Sequence, residues 1–246
     1  MASILFICAL AEEKQSLTEI LSIMIKRHSI NSTLNLEVEQ YREGSLDIYV
    51  SQSGMGNVNA GVKLAFILER ISIDQIILIG VGGALQSRLK IGDMVISDRV
   101  IQHDYFSSLE RGNYLMKPGD LILDPEQASN YDPVIQSKIS PLQLSSLHHP
   151  SINIIEGISA SGSEFVGTAQ RKHAIHKQCQ GALIVDMEAS AIAVIANQYN
   201  IAFLITKTIS DELHSDDSIS QDFSSFLINA SRNSAIIARL IISKNK

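Results

Sequence analysis

Short apolar runs alternate along this chain with stretches whose apolar residues recur three and four positions apart. A short apolar run bounded by glycine or polar residues predicts a buried strand, and the second spacing predicts a helix with one apolar face. The predicted strands are Ile4–Ala9, Leu34–Glu39, Leu46–Ser51, Gln75–Gly80, Asp93–Ile101, Asn153–Ser161, Ala182–Asp186 and Ala202–Ser210. The predicted helices are Glu12–Arg27, Asn57–Arg70, Thr168–Lys177, Glu188–Tyr199 and Phe223–Ser243. A turn is expected at Ser53-Gly54-Met55-Gly56, and proline and glycine make the segment from Tyr105 to Asp132 irregular.

Strands that alternate singly with helices indicate a particular fold class. They predict an α/β protein with a mixed, largely parallel central sheet that is flanked by helices on both faces. The 246 residues, of which 45% are hydrophobic, fit a single domain that spans positions 1–246. Ligands in such sheets bind beyond the carboxyl ends of the strands. The loops after Ala9, Ile79, Ser161, Val185 and Ile209 are therefore expected to surround one crevice.

Composition narrows the classes of partner. The net charge is -6 and no basic cluster is larger than Arg171-Lys172-His173, which argues against nucleic acid. No apolar stretch reaches the ~20 residues that cross a bilayer, so a membrane is not expected as a partner either. Cys8 and Cys179 form neither a disulfide framework nor a metal-binding spacing, which indicates a reducing, cytoplasmic setting.

Four acidic residues come at or just after the ends of predicted strands, namely Glu12, Glu13, Glu188 and Asp211. A carboxylate at a strand-to-helix junction can face a pocket, and Glu188 could accept hydrogen bonds from the vicinal hydroxyls of a ribose. An acid at such a position can equally cap a helix or stabilise its first turn. Both interpretations stay open for each acid taken alone, and their shared location at the crevice favours a functional site.

Two features of the sequence could indicate a cofactor, but each lacks part of the motif that such a site requires. The glycine-rich segment Ile79–Leu85 lacks the dinucleotide-binding spacing, and no helical pattern follows it directly. Its glycines either let a ligand approach the backbone or form a tight turn. His173 and His176 could share a helix face, but no acid or cysteine is spaced to complete a metal site. Neither a metal nor another cofactor is therefore expected.

Several short motifs in a fixed order carry a resemblance to a known family. They resemble the purine and uridine phosphorylase superfamily, in particular its 5'-methylthioadenosine/S-adenosylhomocysteine nucleosidases, along nearly the whole chain. The motifs are Ala9-Leu10-Ala11-Glu12-Glu13, Ser53-Gly54-Met55-Gly56, Gly80-Val81-Gly82-Gly83, Leu89-Lys90-Ile91-Gly92-Asp93-Met94-Val95-Ile96-Ser97-Asp98, Ser161-Gly162-Ser163-Glu164-Phe165-Val166, Val185-Asp186-Met187-Glu188 and Thr208-Ile209-Ser210-Asp211. The resemblance implies that the protein hydrolyses the N-glycosidic bond of a 5'-modified adenosine and releases adenine.

The resemblance also implies catalytic roles. Glu13 matches the glutamate that activates water, and Asp211 matches the general acid that protonates the purine. Met187 and Glu188 match the pair that binds the ribose, and Ser210 matches the serine before the acid.

Further matches concern substrate binding. Phe165 and Val166 match residues that contact the purine, and Met55 and Leu10 match apolar residues near the 5' substituent. The same comparison assigns Phe223 to an aromatic position near that substituent, although the preceding loop differs in length.

Three positions depart from the family pattern. Val81 stands where the family usually has Ser or Thr, Lys207 where nucleosidases have Arg, and Ser163 where they have Asp. Val81 lacks a hydroxyl that could contact the nucleophile, and Lys207 keeps the charge without a planar fork. A non-catalytic nucleoside-binding protein is therefore an alternative, and the 5' substituent stays open among methylthioadenosine, adenosylhomocysteine, deoxyadenosine and a futalosine-type nucleoside.

Hydrolysis is favoured over phosphorolysis by the first strand exit. Phosphorylases of this superfamily place a Gly-Asp-Pro-x-Arg loop there and an Arg before the central glycines, whereas this chain has Ala9–Glu13 and Leu78. A carboxylate ~4 Å from a phosphate charge costs ~4 kcal/mol at an effective dielectric of ~20. A phosphate-dependent purine nucleoside phosphorylase remains the alternative.

An assembly is also implied by the resemblance. Nucleosidases of this group are usually homodimers in which a loop of one subunit closes the pocket of the other. The candidate loop is Gln102–Arg111, which contains Tyr105 and Phe106. Two aromatic residues in an irregular loop suit an interface, or they pack against their own subunit.

Overall fold

The computed structural model describes residues 2–30, 37–138, 147–213 and 219–245. Its strands are β1 (Ser3–Cys8), β2 (Ile25–Ile30), β3 (Val38–Glu43), β4 (Leu46–Gln52), β5 (Gln75–Ala84), β6 (Met94–Gln102), β7 (Phe106–Leu109), β8 (Gly112–Leu115), β9 (Ile135–Gln136), β10 (Ile154–Ser161), β11 (Ile184–Asp186) and β12 (Ala202–Asp211). Its helices are α1 (Ala11–Leu21), α2 (Asn57–Leu68), α3 (Pro125–Ser129), α4 (Ala169–Gln178), α5 (Ala189–Gln198) and α6 (Ile219–Lys244). None of the helices in this described part of the chain combines the length and apolarity needed to cross a bilayer.

A mixed sheet forms the centre of the protein. Its strand order is β2-β3-β4-β1-β5-β12-β6-β10-β11, and β11 returns to pair with β5. The pairs β4–β1, β1–β5 and β5–β12 are parallel, whereas β12–β6 and β11–β5 are antiparallel. Strands β5, β12, β6, β10 and β11 therefore form a closed ring, and the predicted α/β class with a mixed sheet is confirmed.

Gly82 makes the closure of this ring sterically feasible. It lies on β5 beside the position where Gly83 pairs with Val185 of β11. A Cβ at Gly82 would lie 2.8 Å from the carbonyl oxygen of Val185. Such a contact is too short for carbon and oxygen, so β11 could not approach β5 this closely beside any larger residue.

The two faces of the sheet carry separate hydrophobic clusters. Side chains of β1 alternate between them because successive residues of a strand point to opposite faces. Leu5 belongs to the cluster that includes Leu64 of α2 and Ile192 of α5. Phe6 belongs to the opposite cluster, which includes residues of α1 and α6. Helices thus cover both faces, as the apolar pattern predicts.

Two predicted elements near the N-terminus are wrong in part. The helix expected over Glu12–Arg27 ends at Leu21, and Ile25–Ile30 forms β2 instead. Backbone pairing of β2 with β3 outweighs the local helical spacing there. The strand expected at Leu34–Glu39 is displaced, because β3 covers Val38–Glu43 and positions 34–36 lie outside the described residues.

Two further predictions are corrected in the middle of the chain. The segment from Tyr105 to Asp132 is not wholly irregular, since it contains the β7–β8 hairpin and α3. Asp124 caps α3 by accepting a hydrogen bond from the N–H of Glu126. The strand expected to end at Gly80 continues to Ala84 because β12 and β11 both pair with its glycine-rich end. The glycines therefore do not form a tight turn.

Candidate active site

One pocket lies at the carboxyl ends of β1, β5, β10, β11 and β12, which are the five strands whose exits the sequence predicts to surround one crevice. The parallel strands β1, β5 and β12 end at the same edge of the sheet, and β11 reaches this edge because it runs antiparallel to the end of β5. The lining residues are Ala9, Leu10, Glu13, Met55, Val81, Gly82, Gly83, Glu164, Phe165, Val166, Val185, Asp186, Met187, Glu188, Lys207, Ser210 and Asp211.

Glu13 is held by main-chain groups of the β1 exit and of the glycine-rich part of β5. Its Oε2 accepts hydrogen bonds from the N–H groups of Ala9 and Leu10, both at 2.9 Å. Its Oε1 accepts one from the N–H of Val81 at 3.0 Å. The side chain is buried, and Glu13 lies in the first turn of α1. The carboxylate is therefore fixed at the floor of the pocket.

The environment of Glu13 changes its acidity. Burial raises the pKa of Glu13 above the ordinary 4.5, although the nearby Lys207 ammonium and the main-chain hydrogen bonds act to lower it. Gly80 leaves the space that this carboxylate occupies, because a Cβ at Gly80 would lie 2.8 Å from the Cδ atom of Glu13. A fixed carboxylate with a raised pKa is suited to accepting a proton.

Lys207 forms the centre of a buried charge cluster. Its Nζ lies 3.1 Å from Oδ2 of Asp186 and 3.1 Å from Oε2 of Glu188, and only 1% of its side chain is exposed. Burial alone would lower the pKa of Lys207, but the charges of Asp186, Glu188 and Glu13 raise it above its ordinary value. Lys207 therefore stays protonated and holds the two carboxylates in place.

Glu188 connects this cluster to the loop before α2. Its Oε1 accepts a hydrogen bond from the N–H of Gly56 at 2.9 Å. Asp186 meanwhile binds the start of α5, because its Oδ1 accepts from the N–H of Ala189 at 3.1 Å. Glu188 lines the pocket, and both of its carboxylate oxygens have a partner. Gly56 of the turn before α2 and Lys207 of β12 therefore fix its orientation.

Asp211, at the end of β12, has a partner on each carboxylate oxygen. The Oγ of Ser210 donates to Oδ1 at 2.9 Å, and Nζ of Lys172 donates to Oδ2 at 2.5 Å. Asp211 is 9% exposed and faces the pocket. Gly83 gives it room, since a Cβ there would lie 3.1 Å from Oδ2.

The outer part of the pocket is apolar and exposed. Phe165 is 62% exposed and Met55 is 60% exposed, whereas Val166 is buried beside them. Large apolar side chains that remain exposed beside charged groups are typical of a site that binds a partly apolar ligand.

The structure brings together ten of the residues that the sequence singles out. They are Leu10, Glu13, Met55, Val81, Phe165, Val166, Met187, Glu188, Ser210 and Asp211. Phe223 lies on α6, and its side chain is outside the described residues. Among the departures, Lys207 lines the pocket, whereas the N–H of Ser163 donates to Asp104 at 2.6 Å.

Sequence reasoning missed Asp186 and Lys172. Asp186 directly precedes Met187-Glu188, and its spacing of two from Glu188 was a usable signal for a shared environment. Lys172 lies in the basic run of α4, where a solvated position is the ordinary expectation. Its spacing to Ile175 and Cys179 nevertheless places it on the buried face of the helix.

The described residues contain no group of three or more His, Cys, Asp or Glu side chains that could hold a metal ion. His173 and His176 lie on α4 as predicted, and Nδ1 of His176 lies 2.9 Å from the carbonyl oxygen of Ala182.

The family of the chain follows from sequence comparison. The model of the phosphorylase superfamily matches residues 3–243, which is nearly the whole chain. The chain therefore belongs to the phosphorylase superfamily, and the resemblance drawn from its motifs is confirmed.

Individual relatives are nucleosidases. The chain is 30% identical over 229 residues to the 5'-methylthioadenosine/S-adenosylhomocysteine nucleosidase of Staphylococcus haemolyticus, covering 91% of this chain and 94% of that protein. It superposes on the Helicobacter pylori nucleosidase of the same name, solved with butyl-thio-DADMe-Immucillin-A, with a TM-score of 0.83, 22% identity and 99% coverage of both chains. A Borrelia burgdorferi protein assigned to the same nucleosidases and solved with adenine gives a TM-score of 0.79 at 27% identity, covering 98% of this chain and 99% of that one.

Proposed function

We propose that this protein hydrolyses the N-glycosidic bond of 5'-modified adenosines, such as 5'-methylthioadenosine and S-adenosylhomocysteine, and releases adenine. The similarity to named nucleosidases supports this substrate class. The observation that carries the proposal is the arrangement of Glu13, Glu188 and Asp211 around one pocket. Three carboxylates in separate surroundings can act on the nucleophile, the sugar and the leaving base.

Glu13 is the proposed general base. A water molecule that attacks the anomeric carbon has to lose a proton, and a carboxylate within hydrogen-bond reach can accept it. The raised pKa of Glu13 supports this role because it strengthens the carboxylate as a base. The N–H groups that bind both carboxylate oxygens keep it directed at the pocket.

Glu188 is the proposed ribose ligand, with Met187 beside it. A carboxylate oxygen has more than one lone pair, so Oε1 and Oε2 of Glu188 can accept from the ribose hydroxyls as well as from Gly56 and Lys207. Its negative charge also stabilises the positive charge that develops on the sugar ring as the bond to the base breaks.

Asp211 is the proposed general acid. In its protonated form it donates its proton to N7 of the purine, and the electron pair of the glycosidic bond passes to the leaving base. Ser210 donates to Oδ1 and supports the orientation of the carboxyl group. Phe165 and Val166 are the proposed contacts of the purine ring, and Met55, Leu10 and Phe223 those of the 5' substituent.

Water is the proposed nucleophile rather than phosphate. Within the described part of the chain, the one cationic side chain that lines the pocket is Lys207, and it forms ion pairs with Asp186 and Glu188. Phosphate would therefore lack a cation committed to it and would face the carboxylate of Glu13. Phosphorolysis and non-catalytic nucleoside binding are the alternative outcomes of the following experiment.

The proposal is tested by measuring adenine release from a panel of 5'-modified adenosines with and without phosphate. We expect release that does not depend on phosphate, with free 5-methylthioribose as the second product of 5'-methylthioadenosine. Release that requires phosphate and yields a ribose 1-phosphate would identify a phosphorylase. Binding of the nucleosides without turnover of any of them would indicate a binding protein.

Asp211→Asn tests the proposed acid. The amide keeps the shape of the side chain but cannot supply the proton, so kcat should fall by about 10²–10⁴-fold with binding largely kept. If Asp211 had only a structural role at the end of β12, Asn would serve nearly as well. A folded Asp211→Asn variant with near-normal turnover of the active substrate would therefore rule out this role.

The wider setting follows from the same proposal. We infer a homodimer in the cytoplasm that takes part in methionine salvage, with the small-molecule nucleoside as its substrate. The Gln102–Arg111 segment is the candidate for the loop that reaches the partner's pocket.

A further inference from the structure

Lys172 is a buried lysine that contacts the proposed acid, Asp211, from the protein interior. It lies on α4, its side chain is 1% exposed, and its Nζ lies 2.5 Å from Oδ2 of Asp211. The same ammonium donates to the carbonyl oxygen of Glu212 at 2.8 Å. Among the described residues Lys172 is not part of the pocket lining, so it reaches Asp211 from the protein side.

The position of Lys172 in α4 does not itself require a charge. Lys172, Ile175 and Cys179 recur at helical spacing on one buried face, where an apolar residue would pack without a desolvation cost. A buried ion pair is weak evidence of a contribution to stability, because apolar replacements of such pairs are often neutral. The ammonium is therefore better explained by what it does to Asp211.

The other charged groups around this corner have partners of their own. Glu212 forms an ion pair with Lys90 at 3.1 Å, and Arg171 forms one with Glu164 at 2.8 Å. Lys172 is thus the cation in contact with the carboxylate of Asp211 among the residues described, and Ser210 supplies the hydroxyl contact on the other oxygen.

We propose that Lys172 is a positioning residue for Asp211 that also stabilises the carboxylate formed when Asp211 gives up its proton. This inference rests on the proposed function, in which Asp211 is the general acid. In that step the O–H bond of Asp211 breaks, the N7–H bond forms, and the electron pair of the glycosidic bond moves to the purine. Negative charge appears on Asp211 as the transition state is reached, directly beside the Lys172 ammonium. The interaction is stronger in the transition state than before it, so it raises kcat.

Lys172→Met tests the inference because it removes the charge and keeps the length of the side chain. We expect kcat for adenine release to fall by roughly 10–10²-fold, with KM little changed, because the acid is less well placed and its product charge less stabilised. Lys172→Arg keeps the positive charge and should retain most of the kcat. Lys177→Met is the matched control, because Lys177 is an exposed lysine of the same helix. This variant should release adenine at the normal rate.

The split between kcat and KM, together with the Arg variant, distinguishes this role from a purely structural one. Charge stabilisation at Asp211 predicts that Lys172→Met loses kcat without a matching change in KM and that Lys172→Arg keeps most of the turnover, whereas a packing role would be met as well by Met as by Lys. Lys172→Gln gives the same test if the Met variant does not fold, and thermal denaturation establishes which variants are folded.

A double variant separates failure of this inference from failure of the proposed function. In an Asp211→Asn background, Lys172→Met should cause little further loss of kcat, because Lys172 acts through Asp211. A folded, uncharged Lys172 variant with unchanged kcat would overturn the inference, and so would an undiminished loss of kcat in the Asn background. Normal turnover of Asp211→Asn alone would instead overturn the assignment of the acid.

Discussion

At the scale of single residues, the environment of each carboxylate separates its chemistry from that of its neighbours. Glu13 is bound by main-chain N–H groups, Glu188 by Lys207 and a main-chain N–H, and Asp211 by Lys172 and a serine hydroxyl. Groups of one type in different surroundings can take up opposite roles in proton transfer.

The raised pKa of Glu13 leads to a prediction about pH. A general base has to be ionised, so activity is lost as the pH falls through the pKa of Glu13. We expect the acidic limb of kcat/KM to lie above 4.5, the ordinary value for glutamate.

Glu13→Gln should lower kcat/KM by about 10²–10⁴-fold and remove that limb from the residual activity. Glu12→Gln provides the control, because Glu12 is the adjacent residue but is exposed. A Glu13→Gln variant that keeps both its rate and the acidic limb would show that another group accepts the proton.

Lys207 allows a prediction about stability. Lys207→Met leaves Asp186 and Glu188 buried beside each other without their cation, so the free energy of unfolding should fall by about 3–5 kcal/mol. Lys207→Arg should recover most of this loss. Urea denaturation measures both variants.

Lys90→Met is the matched control for this measurement. Lys90 also pairs with a carboxylate, that of Glu212, but its side chain is 64% exposed. Its loss should change the free energy of unfolding by only about 0–1 kcal/mol. Similar effects of the Lys207→Met and Lys90→Met substitutions would contradict the structural role assigned to the buried cluster.

Single residues also show how far the site could be predicted. Glu13, Glu188 and Asp211 could be found because each follows an apolar run that the sequence marks as a strand. Lys172 could not be paired with Asp211, since the contact joins positions 39 residues apart and depends on how α4 packs. No local pattern contains that information.

At the scale of secondary-structure elements, strand ends and glycines position the site. The exit of β1 lies beside the glycine-rich part of β5 because these strands are parallel neighbours, and Glu13 of α1 binds main-chain groups of both. The strands with apolar runs were predicted within a few residues. The extension of β5 and the start of β2 were not, because pairing with distant strands decides them.

Gly80→Ala tests how β5 accommodates the proposed base. The added Cβ would lie 2.8 Å from Cδ of Glu13, so the carboxylate has to move and kcat/KM should fall by about 10²-fold or more. Gly44→Ala is the control. Gly44 also has a positive φ, of +60°, but its Cβ would meet open space in the β3–β4 turn.

Measuring both adenine release and thermal denaturation separates the effect of each substitution on turnover from its effect on folding. Both substitutions strain a backbone that favours glycine, so both should lower the Tm. Only Gly80→Ala should lower turnover beyond its effect on folding. Turnover at the normal rate in folded Gly80→Ala would mean that the position of Glu13 is not critical.

At the scale of the whole molecule, the proposed homodimer would place its second subunit against the open side of the pocket. Phe165 and Met55 at the pocket are largely exposed, and so are Val58 and Val62 on α2. Exposed apolar side chains grouped near one site are typical of an interface. In the candidate loop, the Tyr105 hydroxyl contacts Gly119 and Asp120 of its own chain.

Phe106 is the residue of that loop on which the dimer can be tested, because it is 41% exposed. We expect sedimentation of the parent protein at micromolar concentration to give a dimer. Phe106→Asp places a charge in the proposed interface, so the dimer Kd should rise by about tenfold or more. Ile23→Asp is the control, since Ile23 is 79% exposed in the turn after α1, away from the pocket.

If the loop completes the partner's pocket, activity should follow the dimer fraction as protein concentration is lowered. A parent protein that sediments as a monomer at micromolar concentration and is fully active would exclude the proposed assembly, and would assign the exposed apolar residues to substrate binding alone.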